Sequence, residues 1–420
     1  MSTPSILTPF DICQEESIAF LAARFHAACG DAPGGGKTRT GIKAAERVGA
    51  INKLVVCPAG VRSHWWAQIE TVTGHTRGWD VVGYPTASSP WHLLGLRDRY
   101  DAVLVDEEHF CKEPGSARAF AVLGSGGLVH RGRYKWCFSG TFAPNGRPVE
   151  YWPMLKTLHP HFARMSFGTF ARLYCGMYFD GRENNVKGAS RVEEFKMLLD
   201  QFIVAHTKAQ LFPGRREPLV VRVPVELTQD ELRMVTDAEM GILSREVYIS
   251  SAKEAYSQLG DSAALRHLVG LAMTPHAAAF AREKLMGVRK LVLFFQHTEV
   301  GAALRLALGG YKPALYRGGM TDAQKDAAKA RFLSEDGCRV FLAQQQAAGT
   351  GTDGLQRVSS TIILAEPDWV PGETWQRVNR LDRPGAESDL VTAYQLYARG
   401  TLHSAVLGVH DRKEKIRVKL

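Results

Sequence analysis

Short runs that are apolar at nearly every position constrain this chain more than any other feature. KLVVCP (53–58), YDAVLVDEE (100–108) and YKWCFSGT (134–141) come early; KLVLFFQ (290–296), CRVFLAQ (338–344) and STIILAEP (360–367) come late. A strand with one wet face alternates apolar and polar residues, whereas a run apolar throughout is buried on both faces. Separated by longer helix-like stretches, these runs predict parallel sheets flanked by helices, an α/β fold. They fall into two groups, before about residue 145 and after about residue 288, so two units are expected. Between them lies a segment rich in helix formers, aromatics and basic residues. Its stretch PGRREPLVVRVPVEL (213–227) reads as a crossover, with the boundary near residue 215. Thr228 with Glu231 and Thr321 with Gln324 have capping-box spacing and predict helix starts.

Composition narrows the class of protein. With 420 residues, 45% apolar and 23% charged, the chain is neither disordered nor fibrous. The net charge of +9 fits a polyanionic partner, most often nucleic acid. No apolar run approaches the ~18 residues of a membrane span. The N-terminus lacks a basic start followed by an apolar stretch, so no membrane association and a cytoplasmic location are expected. The seven cysteines form no CxxC pair, which excludes a zinc ribbon or redox motif and predicts reduced core residues.

The chemistry begins at GDAPGGGKT (30–38), which follows the apolar FHAAC and precedes a helix-like stretch. In such a strand, loop and helix, Gly34, Gly35 and Gly36 let backbone N–H groups face a phosphate. Lys37 can reach the β- and γ-phosphates, Thr38 can offer its hydroxyl to Mg²⁺, and the helix N-terminus favours the anion. Asp106, Glu107, Glu108 and His109 then end a buried run. Asp106 suits a Mg²⁺ site and Glu107 a base for an attacking water.

GKT with DEEH resembles the Walker A and DExH motifs of superfamily 2 helicases. TPFDICQ resembles the PxxQ element of that group, which implies that Gln14 reads adenine. DAPGGGKT is similar to the DEMGLGKT of Swi/Snf-type translocases, CPAGVRSHWWAQIE (57–70) to their CPxSLxxxWxxEI, and SGTFAPN (139–145) to SGTPxxN. Later, YRGGMTDAQKDAAKARF (316–332), QQQAAGTGTDGL (344–355) and WQRVNRLDRPG (375–385) resemble further elements in the family's order. Within the group the chain most resembles compact annealing-helicase (HARP-type) motors, as a stand-alone bacterial or phage version.

The resemblance implies two RecA-like lobes, 1–215 with a helical extension from about 150 and 216–420 with a helical segment at 228–287. ATP and Mg²⁺ would lie in the cleft between them. It implies that Arg380 and Arg383 neutralise charge at the γ-phosphate, their spacing placing both on one helical face. It places Asp353 near the ribose and assigns Ser139 and Thr141 to coupling. Arg62, Ser63 and His64, Gln296 and His297, and Arg317, Gly318 and Gly319 would contact nucleic acid, chiefly its phosphates. Trp65 or Trp66 is expected in the core. The activity implied is that of an ATP-dependent, monomeric translocase on duplex or forked DNA, with replication or recombination proteins as partners. A strand-separating DNA or RNA helicase and a nucleotide-locked clamp stay open as alternatives. Ala205 and His206 stand where relatives carry two arginines before a lysine, which puts that brace in doubt. Asp382 and Pro384 replace a His and an Ile. Arg215, Arg216 and the charged end 411–420 are ambiguous between surface and DNA contact.

Overall fold

The computed structural model describes residues 7–89, 95–179, 181, 184–243, 263–345, 354–367, 371–383, 385–404 and 406–408. The chain divides into two compact units between Gly214 and Arg215. The first unit holds β1 (His26–Cys29), β2 (Lys53–Cys57), β3 (Trp79–Gly83), β4 (Tyr100–Asp106), β5 (Gly132–Phe138), the small ribbon β6 (Tyr178–Phe179) and β7 (Asn184–Asn185), and β8 (Ile203–Val204). The second holds β9 (Leu219–Val225), β10 (Leu291–Phe295), β11 (Ala314–Tyr316), β12 (Val340–Gln344), β13 (Thr361–Leu364) and β14 (Thr392–Ala398).

Each unit is built on a six-stranded sheet, in the orders β3-β2-β4-β5-β1-β8 and β11-β12-β10-β13-β14-β9. Every pairing in both sheets is parallel. The α/β fold expected from the apolar runs is borne out, and the reason is visible residue by residue. In β2, Leu54 and Val56 enter one core while Val55 and Cys57 enter the core on the opposite face. In β4, Val103 and Val105 divide from Ala102 and Leu104 in the same way. The second sheet repeats this, with Leu291, Leu293 and Phe295 on one face and Val292 and Phe294 on the other. Each fully buried side chain of this size contributes about 1.5–3 kcal/mol, so a run apolar throughout can be stable only between two helical layers.

The Val-rich run after Pro218 corrects one expectation. It is not a crossover but β9, the edge strand of the second sheet, paired from Leu219 with Thr392 to Val225 with Ala398. Its burial alternates, and an edge position tolerates Pro224, which has no N–H to donate. The capping boxes read from sequence are formed at Thr321 with Gln324, and by mutual bonds at Thr228 and Glu231. All seven cysteines are buried and none is in a disulfide. Among the described residues no helix is long and apolar enough to cross a membrane.

Three helices position the site in the first unit. α1 (Pro9–Ala22) starts at a capping box between Thr8 and Asp11, with Pro9 in its first turn. α2 (Lys37–Arg47) starts at Gly36, directly after β1 and the glycine loop. α3 (Arg62–Thr73) follows β2 and buries Trp65 and Ile69.

Candidate functional site

The carboxyl ends of β1, β4 and β5 bring the sequence-predicted groups of the first unit together. β1 ends at Cys29, and the loop to α2 is tied down by Ala32 N–H to the His206 carbonyl at 3.0 Å and Gly35 N–H to the Ala32 carbonyl at 2.9 Å. Gly36 has φ +74°, in the left-handed region where a glycine is favoured. A Cβ there would also lie 2.6 Å from Gln14 Nε2, and one on Gly35 would lie 2.9 Å from the Ala32 carbonyl oxygen. The loop is therefore open to backbone approach where larger residues would close it. Lys37, the first residue of α2, turns back over the loop and donates to the Asp31 carbonyl at 2.7 Å, with Thr38 beside it.

Gln14 comes to this loop from α1. It is 3% exposed, and its Nε2 has no hydrogen-bond partner. A buried amide donor without a partner costs about 1–3 kcal/mol and calls for a ligand acceptor. Phe10, one turn earlier on α1, stacks on Phe212 with centroids 5.6 Å apart. Sequence reading missed both aromatics, although Phe10 follows the proline of TPFDICQ.

β4 delivers Asp106, whose Oδ2 accepts from Trp65 Nε1 at 2.8 Å and whose Oδ1 accepts from Glu107 N–H at 3.0 Å. Burial, and then the Glu107 charge, pushes the Asp106 carboxyl above the usual carboxylate range; the indole bond and Lys37 oppose this. Trp65 is in the core as expected, and Trp66 is half-buried. The sequence did not show that Trp65 holds Asp106. The available signal was that a buried indole must place its N–H on an acceptor.

Glu107 adopts φ +51°, ψ +54°, a left-handed conformation that is uncommon for a residue with a Cβ. Its Oε2 lies 3.3 Å from His109 Nδ1, which lies 3.0 Å from Ser139 Oγ, and Ser139 Oγ accepts from Thr141 N–H at 3.0 Å. Tyr84 fixes the turn from behind, donating its hydroxyl to the Asp106 carbonyl at 2.8 Å. A Cβ on Gly140 would lie 3.3 Å from Lys37 Nζ. Ser139 and Thr141 are thus connected to Glu107 through His109 and lie beside the lysine. Glu108 is fully buried, and burial followed by the Glu150 charge pushes its carboxyl up to about 8.

Arg62, Ser63 and His64 are exposed in the first turn of α3. In the second unit, Gln296 and His297 leave the carboxyl end of β10, and Arg317 and Gly318 leave that of β11. Gln344, at the end of β12, joins the two loops: it donates to the Gln296 carbonyl at 3.1 Å and accepts from Gly318 N–H at 2.8 Å. The His297 and His267 rings are 5.0 Å apart, and burial, then His267, lowers the His297 pKa.

Arg380 lies in the last turn of the helix Pro371–Leu381. Arg383 does not share that helical face: the helix has ended, and Arg383 donates from Nε to the Asn379 carbonyl at 3.1 Å. Asp382, where relatives carry a His, accepts from Arg215 Nε at 2.7 Å, so Arg215 holds this segment, while Arg216 is exposed. Asp353, Pro384, residues 411–420 and most of the stretch 344–355 lie outside the described residues.

Fold and site together define a protein of two parallel α/β units, the first carrying a glycine-lysine loop beside a strand-end carboxylate pair. No protein-family model matches the chain. It is 24% identical over 393 residues to a SWI/SNF-related matrix-associated actin-dependent regulator of chromatin subfamily A-like protein 1 homolog of Caenorhabditis elegans, covering 86% of this chain and 54% of the relative. The protein of that name from Xenopus tropicalis is 25% identical over 394 residues, covering 86% of this chain and 39% of the relative. The chain therefore spans about half or less of these relatives. The Sulfolobus solfataricus SWI2/SNF2 ATPase core, solved in complex with dsDNA, aligns over 97% of this chain and 91% of its own, with 16% identity and a TM-score of 0.43. The chain is thus similar to SWI/SNF-related proteins, the group its motif order resembles.

Proposed function

We propose that the chain is an ATP-driven motor that hydrolyses ATP with Mg²⁺ and moves along duplex or forked DNA. The observation that carries the reading is the cluster in which His109 Nδ1 lies 3.3 Å from Glu107 Oε2 and 3.0 Å from Ser139 Oγ, beside Lys37 and the glycine loop. The similarity to Swi/Snf-related proteins supports the same reading. The residues fit a nucleotide: the unpartnered Gln14 amide stands ready for the base, and the loop glycines leave room for phosphates.

Residues 1–215 would form the nucleotide-binding lobe and 216–420 the second lobe. Lys37 would leave the Asp31 carbonyl for the β- and γ-phosphates of ATP. Thr38 and Asp106 would hold Mg²⁺, which neutralises phosphate charge when bound. Glu107 would take a proton from the attacking water. The His109–Ser139–Thr141 path would report that proton's position to the loop that follows β5. Arg380 and Arg383 would stabilise charge leaving with the γ-phosphate, and Asp353 would lie at the ribose. Arg62, Ser63, His64, Gln296, His297, Arg317 and Gly318 would grip the backbone of DNA, with little sequence preference.

Steady-state ATP hydrolysis without nucleic acid, and then with duplex, forked or single-stranded DNA or RNA, tests this. Duplex or forked DNA should stimulate most, and added salt should weaken the stimulation steeply. Lys37→Ala should abolish hydrolysis. Glu107→Gln should bind ATP but turn over about 10²–10⁴-fold more slowly, the usual worth of a general base. Normal turnover by that variant overturns the assigned base. Stimulation by single strands or RNA alone would instead indicate a strand-separating helicase, and no stimulation a clamp.

A further inference from the structure

His206 stands where the relatives' motif carries an arginine, and its surroundings show what replaces that side chain. The residue is 8% exposed. Its Nδ1 lies 2.8 Å from Asp31 Oδ1, and its Nε2 lies 2.9 Å from Glu16 Oε2. Its backbone N–H also donates to Asp31 Oδ1 at 3.0 Å, and its carbonyl accepts from Ala32 N–H at 3.0 Å. The second Asp31 oxygen accepts from Ser17 Oγ at 2.8 Å. Asp31 opens the glycine loop, its carbonyl holds Lys37, and Glu16 and Ser17 follow Gln14 on α1.

We propose that His206 is a positioning residue that sets the glycine loop and the Gln14 helix at the separation a nucleotide requires. A neutral imidazole donates from one ring nitrogen, so the ring makes both carboxylate bonds only as the imidazolium. In that form it cancels charge between Asp31, fully buried, and Glu16 at the surface. The segment that carries it also walls the loop: a Cβ on Gly35 would lie 3.0 Å from Leu211 Cδ1. Remove the ring, and the Glu16–Asp31 tie between α1 and the loop is lost, leaving the Ser17–Asp31 bond, while Lys37, Asp106 and Glu107 keep theirs. The effect therefore falls on nucleotide affinity rather than on the chemical step. This inference rests on the nucleotide reading above.

The test measures the Kd of a fluorescent ATP analogue, the KM and kcat of hydrolysis, and the melting temperature without nucleotide. His206→Ala, →Gln and →Arg are compared, together with Glu16→Gln and the His206→Ala/Glu16→Gln pair. His206→Ala should raise Kd and KM about tenfold with kcat changed less than about threefold, a loss of binding shared by ground and transition states. His206→Arg, which keeps the charge and two donors, should restore most of the affinity, because exposed Glu16 can give way; His206→Gln should restore less. The double variant should fall short of the summed single effects. Arginine no better than alanine, additive effects, or a loss confined to kcat would overturn the proposal. Cys13, Glu16 and His206 have ligand atoms within 4.8 Å of one another, so stoichiometric zinc binding that lowers Kd would also overturn it in favour of a metal site. If the unaltered chain binds no nucleotide, or Lys37→Ala hydrolyses ATP normally, the nucleotide reading itself fails and the brace falls with it.

Discussion

Both units bury a carboxylate at the carboxyl end of a parallel strand, and the two are built differently. Asp106 ends β4 and is 9% exposed; Glu366 follows β13 and is 2% exposed. Asp106 takes two N–H donors, from Trp65 and Glu107, and lies within the field of Lys37. Glu366 takes Gln296 N–H at 3.3 Å and packs on Gly270, where a Cβ would lie 2.8 Å from its Oε2. Burial pushes Glu366 up to about 7, against partial opposition from that bond and Arg266. The same strand-end position thus serves two ends. Burial raises both carboxyls, Asp106 to about 6 and Glu366 to about 7, but the indole bond, the Glu107 N–H and Lys37 oppose it at Asp106, which therefore ionises at lower pH and is the better placed to hold a cation.

The largest expected effect exploits that contrast. A carboxyl whose folded pKa is about 7 and whose ordinary value is 4.5 binds its proton more tightly in the folded state. It costs nothing below about pH 4.5. The cost grows as pH rises, because the unfolded carboxyl ionises first, and levels off above about 7 near 3 kcal/mol. Glu366→Gln should therefore match the unaltered protein at pH 4.5 and be more stable by up to about 3 kcal/mol at pH 8. Urea unfolding across that range measures it. A difference that does not change with pH would mean that burial leaves the Glu366 carboxyl at its ordinary value.

The first unit should answer in activity instead. Trp65→Phe keeps an aromatic ring in the core, at the cost of part of the indole's volume, and leaves Asp106 Oδ2 without its indole donor. A buried acceptor so deprived costs about 1–3 kcal/mol, so hydrolysis should fall about tenfold, with a higher Mg²⁺ requirement. Melting should fall as well, since the unsatisfied acceptor and the smaller ring both cost stability, so the Mg²⁺ requirement is the readout that isolates the site. An unchanged Mg²⁺ dependence would remove Trp65 from the site.

These residues also show where sequence was enough. Parallel sheets could be read from KLVVC and LVLFF because burial on both faces leaves no polar positions to confuse the pattern. WDVVG and TAYQLYA, which form β3 and β14, escaped because Asp80, Gln395 and two tyrosines interrupt theirs. LVVRVPV was misread because Arg222 and Pro224 suit an edge strand as well as a connection. In the site, Lys37, Asp106 and Ser139 were legible from local motifs, since loop, strand end and turn each carry their own spacing. Trp65, His206 and Gln344 were not. Each acts on a partner far along the chain, with His206 and Asp31 separated by 175 residues. Spacing carries no record of such contacts.

Gln344 gives the smallest effect and the finest comparison. It is the second unit's counterpart to the His109–Ser139 link, joining two strand-end loops, but through one amide rather than an imidazole and a hydroxyl. Each of its hydrogen bonds is worth about 0.5–1.5 kcal/mol net, and part of that returns through water once the side chain is gone. Gln344→Ala should free the loops carrying Gln296, His297, Arg317 and Gly318 to move independently. Duplex affinity, read by fluorescence anisotropy, should weaken about threefold to tenfold, while kcat at saturating DNA stays within about twofold. Weakened kcat with unchanged DNA affinity would put Gln344 on the side of the chemistry, and the two units would then divide the work differently from the way their carboxylates suggest.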